Sequence, residues 1–273
     1  YNCSSLTALN IPTIVTEIKD YAFRSTGFVT ITLPDSLQTL GQSVFEHCNN
    51  MTSIHFPINL ENIQSTTFVP TNNLESYTVD SANNYFSSLN GILYNKTQTI
   101  LIACGPQNPI TTLTIPNTVT EISSKAFQEN KHLTTINLPD SLIIIGGYAF
   151  RGTILTSIVI PNTVTSMGEW VFQNSKQLVT ATLSTNMLEL SDFSFSDCTQ
   201  LTTVTLPLDS ALTTIGSSAF RYCTQLTNIP MPNNLTTIGG YAFNGCTALV
   251  GPIVIPSTIT TLDHGVFYNC NSL

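Results

Sequence analysis

The stretch that decides the fold runs Leu133-Thr-Thr-Ile136-Asn-Leu138-Pro139-Asp-Ser-Leu142-Ile-Ile-Ile145-Gly146-Gly-Tyr-Ala149-Phe150-Arg-Gly-Thr153. Leu133, Ile136 and Leu138 give way to alternation with polar residues, the mark of a half-buried strand. Pro139 then stops the ladder, because proline has no N–H to donate. A second short extended piece follows, with Leu142 and Ile145 directed inward. Gly146 is expected to turn the chain at a positive φ. A tight 3-10 or single helical turn is expected to return Ala149 and Phe150 to the core.

The same unit recurs along the chain. Its phenylalanine stands at Phe23, Phe45, Phe68, Phe127, Phe150, Phe172, Phe195, Phe220, Phe243 and Phe267. Subtraction gives spacings of 22, 23, 59, 23, 22, 23, 25, 23 and 24 residues. Eleven residues earlier stand Pro12, Pro34, Pro57, Pro116, Pro139, Pro161, Pro232 and Pro256, while Pro207 stands thirteen before Phe220 and Ser184 replaces proline before Phe195. Three before the proline slot the residue is apolar, from Leu9 and Ile31 to Ile229 and Ile253. Five before the phenylalanine it is again apolar, from Ile18 and Leu40 to Ile238 and Leu262. Directly before it stands a small or β-branched residue, such as Ala22, Thr67 or Ala149. A unit of this length cannot bury its own apolar face, so units must stack. The expectation is a solenoid over residues 1–273, a single domain of about ten units of ~23 residues. A parallel sheet should line its concave side, with short extended pieces and turns on the convex side.

One unit is irregular, at about residues 72–110. Asn90-Gly91 and Asn95-Lys96-Thr97-Gln98 flank the apolar runs Ile92-Leu93-Tyr94 and Ile100-Leu101-Ile102. That pattern predicts a β-hairpin insertion, either projecting from the solenoid or lengthening a coil. The chain starts and stops inside a unit with no polar cap, so it is expected to be an excerpt of a longer protein.

Composition narrows the function. Only 9% of the 273 residues are charged, with 8 Lys+Arg against 16 Asp+Glu and a net charge of −8. Scattered basic residues argue against nucleic acid and against a polybasic membrane patch. The apolar runs are too short to span a bilayer as a helix. Thr, Ser and Asn carry the solubility, which suits pleated surfaces.

The unit Leu-Thr-x-Ile-x-Ile-Pro-x-x-Val-Thr-x-Ile-Gly-x-x-Ala-Phe-x-x-Cys resembles the BspA-like, or treponemal-type, leucine-rich repeats across essentially the whole chain. Asn84-Tyr85-Phe86 through Gly91-Ile92-Leu93-Tyr94 resembles an insertion known in that family. The resemblance implies a surface or secreted protein that adheres to host matrix or cell-surface proteins. It supplies no family-wide binding residues.

Candidate sites were weighed against plainer readings. Cys48, Cys198, Cys223, Cys246 and Cys270 share the slot three after the phenylalanine, with Cys3 in the equivalent place, and Cys104 lies in the irregular unit. A disulfide ladder or metal stack is opposed by Thr26, Asn130, Thr153 and Ser175 in the same slot. Free buried thiols filling a slot that demands small size are expected. His47, His55, His132 and His264 lack metal-ligand spacing, so no metal and no cofactor are expected. The acid pairs Glu17–Asp20 and Asp192–Asp197 lack a partner base and read as solvated turn residues. No nucleophile or phosphate-loop motif occurs, so the chain is not expected to be an enzyme.

The outward strand positions remain. Thr30 and Thr32, Ser53 and His55, Thr112 and Thr114, Thr135 and Asn137, Thr180 and Thr182, Thr203 and Thr205 are expected to form a neutral polar face. As a concave repeat surface it would contact a protein or glycoprotein. A structural spacer is the alternative, and an ice-binding threonine ladder is opposed by His55, Val159, Pro230 and Val254, which interrupt the rows. Asn2, Asn50, Asn95 and Asn234 sit in possible glycosylation sequons.

Overall fold

The computed structural model describes residues 3–64, 68, 71–206 and 209–273. Asn2, Thr67 and Pro207 therefore lie outside the described residues. The chain is a parallel β-solenoid with no helix among the described residues. It falls into two compact units, residues 1–109 with 125–132, and residues 110–124 with 133–273.

In the second unit each coil has three sides. The first side carries three-residue strands. Thr112–Thr114 pairs in parallel with Thr135–Asn137, and Ser157–Val159 with Thr180–Thr182, which pairs in turn with Thr203–Thr205. The central residue of each is buried and the flanking pair points outward. The ladder stops at Thr203–Thr205, and the next two coils bring Pro230 and Pro252 to this side, where proline offers no N–H. Proline slots close a turn, with Pro139 O accepting Leu142 N at 3.0 Å and Pro161 O accepting Val164 N at 3.0 Å.

The second side carries two-residue strands, Glu121–Ile122, Ile144–Ile145 and Ser166–Met167 in one ladder and Glu189–Leu190, Thr214–Ile215 and Thr237–Ile238 in another. The third side carries the phenylalanine. Its expected 3-10 or helical turn is replaced by a different device. Ala149, Arg151 and Thr153 donate N–H to the carbonyls three residues back, Gly146, Tyr148 and Phe150. Tyr148, Phe150 and Gly152 instead donate to Glu169, Val171 and Gln173 of the next coil, at 2.8–2.9 Å. A 3-10 turn would keep every N–H inside the coil. Here alternate donors bind coil to coil.

That alternation needs left-handed residues, and they fall at fixed places. Two before the phenylalanine φ is positive at Tyr21, Ser43, Lys125, Tyr148, Trp170, Phe193, Ser218, Tyr241 and Gly265. Two after it φ is positive at Ser25, His47, Glu129, Gly152, Asn174, Asp197, Tyr222, Gly245 and Asn269. Gly146, expected to supply the positive φ, does not. Its lack of a side chain serves close packing, since a Cβ there would lie 2.3 Å from Ser124 N of the preceding coil. Gly168, Gly216 and Gly239 repeat this approach, with 2.4–2.6 Å to backbone nitrogen one coil back.

The phenylalanine rings stack as one column. Phe150, Phe172, Phe195, Phe220, Phe243 and Phe267 follow one another at centroid distances of 5.3, 5.1, 5.5, 5.4 and 5.4 Å, with interplanar angles of 10° or less. Each fully buried ring contributes about 1.5–3 kcal/mol by leaving water. Only a slim neighbour such as Ala149 or Val171 lets the ring reach its place.

The first unit repeats the plan at smaller extent. Glu17–Ile18, Thr39–Leu40 and Asn62–Ile63 form one parallel ladder, and Ser53–Phe56 pairs with Ser76–Val79. Phe23, Phe45 and Phe68 stack at 5.8 and 5.6 Å. The irregular segment is a three-stranded meander, not a single hairpin. Phe86–Leu89 pairs antiparallel with Ile92–Asn95 through Asn90 and Gly91, whose φ values of 53° and 73° suit a tight hairpin turn. Ile92–Asn95 also pairs antiparallel with Ile100–Cys104. Ile92, Leu93 and Tyr94 are fully buried, so the insertion extends the core and does not project. Leu9 and Leu262, expected inward, are 43% and 50% exposed. They belong to the first and last coils of the sequence.

Replacing Gly146 with alanine should cost about 2–4 kcal/mol, because backbone on both sides must move. Gly147→Ala meets nothing nearer than 3.2 Å and should cost less than about 1 kcal/mol. Urea melts of the two variants measure the difference.

Candidate functional site

The outward positions of the three-residue strands are brought together as expected from their spacing. Thr112 stands beside Thr135, and Thr114 beside Asn137, whose Nδ2 donates to Thr114 Oγ1 at 3.1 Å. Ser157, Thr180 and Thr203 form one row, and Val159, Thr182 and Thr205 the next. All are exposed except the half-buried Thr182. In the first unit Ser53 stands beside Ser76 and His55 beside Thr78, with 3.0 Å between His55 Nδ1 and Thr78 Oγ1. Thr30 and Thr32 are exposed on either side of buried Ile31, outside the hydrogen-bonded strands. The rows carry hydroxyls, amides and an imidazole, and no ionised side chain. Val159 and Val254, 63% and 78% exposed, break them with apolar surface.

The sequons are placed differently from one another. Asn50 and Asn234 are exposed, and Asn234 Nδ2 donates to Ser210 O at 3.0 Å. Asn95 holds the link of the meander. Its Oδ1 accepts Thr99 N and Ile100 N at 2.9 Å, and its Nδ2 donates to Thr99 Oγ1 at 2.8 Å.

The cysteine slot has a more definite chemistry than small size. Cys48 Sγ donates to Phe23 O of the preceding coil at 3.0 Å. Cys198, Cys223, Cys246 and Cys270 do the same to Phe172, Phe195, Phe220 and Phe243, at 3.0–3.1 Å. Ser175 Oγ donates to Phe150 O at 2.8 Å, and Thr71 Oγ1 to Phe45 O at 3.2 Å. The slot therefore takes a small residue with a hydrogen-bond donor. The signal was present in its occupants, because Thr, Ser and Asn all carry a donor and Ala and Val never appear there. All seven cysteines are free, Cys3 being exposed. Burial pushes Cys246 and Cys104 up to about 12, and raises Cys198 and Cys223 well above the ordinary thiol range. Such thiols are poor nucleophiles and poor metal ligands.

The acids also work structurally. Asp20 Oδ1 accepts Gln42 N at 2.7 Å and Asp192 Oδ1 accepts Ser217 N at 2.6 Å, each from the next coil. They are coil-to-coil braces and not merely solvated turn residues. Among the described residues no three His, Cys, Asp or Glu side chains gather as a metal site. Among the described residues no helix is long and apolar enough to cross a membrane.

With that geometry in hand, comparison with known proteins is decisive. The description "BspA type Leucine rich repeat region" fits the chain in six copies, over residues 1–97, 104–209 and 144–273. The chain belongs to the BspA-type leucine-rich repeat family. A leucine-rich repeat protein from Eubacterium ventriosum is similar at 28% identity and a TM-score of 0.90, over 98% of this chain and 77% of that one. One from Bacteroides ovatus is similar at 24% identity and a TM-score of 0.63, over 100% of this chain and 72% of that one. A leucine rich cell surface protein from Faecalibacterium prausnitzii shares the fold at 22% identity and a TM-score of 0.59, over 91% of this chain and 73% of that one. No match is found among curated proteins.

The thiols yield two expected outcomes. A thiol reagent at neutral pH should label Cys3 within minutes and the five buried cysteines only after denaturation. In the unfolded chain a thiol ionises near 9, whereas folded Cys246 holds its proton to about 12. Unfolding then releases protons, so stability should be intact below about pH 9 and fall between about 9 and 12. Urea melts across that range should show a shallower fall for the Cys198→Ser/Cys223→Ser/Cys246→Ser variant, whose hydroxyls keep the donors without ionising.

Proposed function

We propose that the chain is a non-catalytic adhesion module, acting as one leucine-rich repeat domain on a cell surface or after secretion. It contacts host matrix or cell-surface proteins through the outward Thr, Ser and Asn of its three-residue strands, including Thr112, Thr114, Thr135, Asn137, Thr180, Thr203 and Thr205, and through Thr30 and Thr32, which are exposed at the equivalent positions of an earlier coil. The observation that carries this reading is the exposure of those side chains in registered rows. Repeat solenoids use such rows as extended binding surfaces. A rigid strand face also loses little backbone entropy on binding. Membership of a leucine-rich repeat family supports protein binding in general. The Faecalibacterium protein of the same fold is a cell surface protein by name, which agrees with the proposed location.

Neutral rows recognise partners by shape and by hydroxyl and amide hydrogen bonds, with little Coulomb attraction. Raising salt from about 0.1 M to about 1 M should therefore change affinity by less than about threefold. The decisive variant combines Thr32→Glu, Thr114→Glu and Thr205→Glu. Capture of matrix proteins should fall at least tenfold, while the melting temperature moves by less than about 2 °C. Unchanged capture would exclude the strand face, and absence of any captured matrix or cell-surface protein would favour a structural spacer.

A further inference from the structure

In the first unit, the meander's exit and the ends of two coils leave an open polar cleft of about 500 Å³. It is lined by Thr52, Asn73, Glu75, Gln107, Pro109 and His132. Its volume is that of ordinary small-ligand sites.

The repeat breaks its own pattern here twice. The slot just before the three-residue strand pair holds Thr52, Thr111, Thr134, Thr156 and Thr202, or Val29 and Val179. Thr134, Thr156 and Thr202 use their hydroxyls to bond a carbonyl of the preceding coil. At Glu75 the slot carries a carboxylate, which has no proton to give to a carbonyl. Three residues before the first outward strand position, His132 similarly stands where other coils place the amides Asn50, Asn73, Gln177 and Gln200, or Gly27, Pro109 and Ile154. Glu75 removes the hydroxyl that bonds coil to coil elsewhere in its slot, and His132 brings an imidazole of which only Nε2 is used in the bond to Gln107.

The lining is held in place. Gln107 Nε2 donates to Asn72 O at 3.3 Å, which turns Gln107 Oε1 toward His132 Nε2 at 3.0 Å. His132 Nε2 therefore carries a proton and donates it to Gln107 Oε1. Asn130 anchors the segment, with Oδ1 accepting His132 N at 3.1 Å and Nδ2 donating to Gly105 O at 2.9 Å. Asn73 Nδ2 donates to Asn49 O at 2.7 Å.

The chemistry selects a ligand class. No Lys or Arg lines the cleft, and Lys131, next in sequence, is held by Glu129 at 2.6 Å. Phosphate, sulfate and carboxylate ligands would meet Glu75 without a compensating cation. Glu75 and His132 alone are too few to hold a metal ion. The lining is too polar for a lipid chain. A carboxylate, an imidazole, a hydroxyl and two amides beside a proline ring instead match a polyol. Sugar hydroxyls can donate to Glu75, and the C–H face of a sugar ring can rest on Pro109.

We propose that this cleft binds a neutral saccharide, independently of the strand face. The test is retention of the intact chain on immobilised neutral oligosaccharides and on their sialylated counterparts. The panel compares the wild-type protein, Glu75→Gln, His132→Ala and the Thr32→Glu/Thr114→Glu/Thr205→Glu variant. Expected is retention by neutral sugars, at least tenfold weaker for sialylated ones. Retention should weaken about tenfold or more in Glu75→Gln, the loss of a charge-assisted hydrogen bond, and stay unchanged in the threonine variant. Circular dichroism melts of Glu75→Gln verify that the coil remains folded, and His132→Ala supplies a second reading of the cleft. Overturning results are no retained neutral sugar, equal retention of sialylated sugars, or retention indifferent to both Glu75→Gln and His132→Ala. Loss of matrix capture with sugar retention intact would concern the strand face alone.

Discussion

The coils that carry Phe23, Phe150, Phe172, Phe195, Phe220 and Phe243 divide their turn donors between their own carbonyls and those of the next coil. In the coil that ends at Thr153, the N–H groups of Tyr148, Phe150 and Gly152 reach the next coil, while those of Ala149, Arg151 and Thr153 close the turn. The rest follows from that division. It forces left-handed backbone two residues either side of each phenylalanine. It sets the coils close enough for Phe150 and Phe172 to stack at 5.3 Å. It also presents each phenylalanine carbonyl to the donor slot of the coil above, where a thiol or hydroxyl supplies a second hydrogen bond. Buried backbone groups are thereby satisfied without helix or long strand.

A left-handed conformation costs a non-glycine residue about 1 kcal/mol or somewhat more, and Tyr148, Trp170 and Phe193 all adopt it. Their rings offset part of that cost by stacking outside the core, Tyr148 on Trp170 at 5.9 Å and Trp170 on Phe193 at 3.8 Å. Tyr222 and Tyr241 lie over a glycine of the next coil. A Cβ at Gly245 would touch the Tyr222 ring at 2.4 Å, and one at Gly265 the Tyr241 ring. The left-handed residues recur at fixed places in successive repeats.

The division of labour between sides shapes what the molecule can do. The turn side and the two-residue strands are committed to holding coils together. The three-residue strands need only their central residue for the core, which leaves the two flanking side chains of each directed outward. The irregular segment adds a second kind of surface. By burying Ile92, Leu93 and Tyr94 it joins the core of the first unit, and its exit opens the cleft around Glu75 and His132.

The sequence by itself determined the repeat, its period, the buried ring, the inward aliphatic slots and the outward threonines. Those depend on side-chain size and polarity at fixed spacing, which one string of letters displays. Only the tertiary structure decided where the hydrogen bonds go. Gly146 reads as a turn residue until the neighbouring coil is present, and then its missing side chain serves a 2.3 Å approach to Ser124. The cysteine slot reads as small until the phenylalanine carbonyl of the coil below lies beneath it. Glu75 and His132 are 57 residues apart by number and come to one cleft only when the intervening meander folds. Donors, acceptors and clefts belong to pairs of coils, and a pair of coils exists only in the stacked chain.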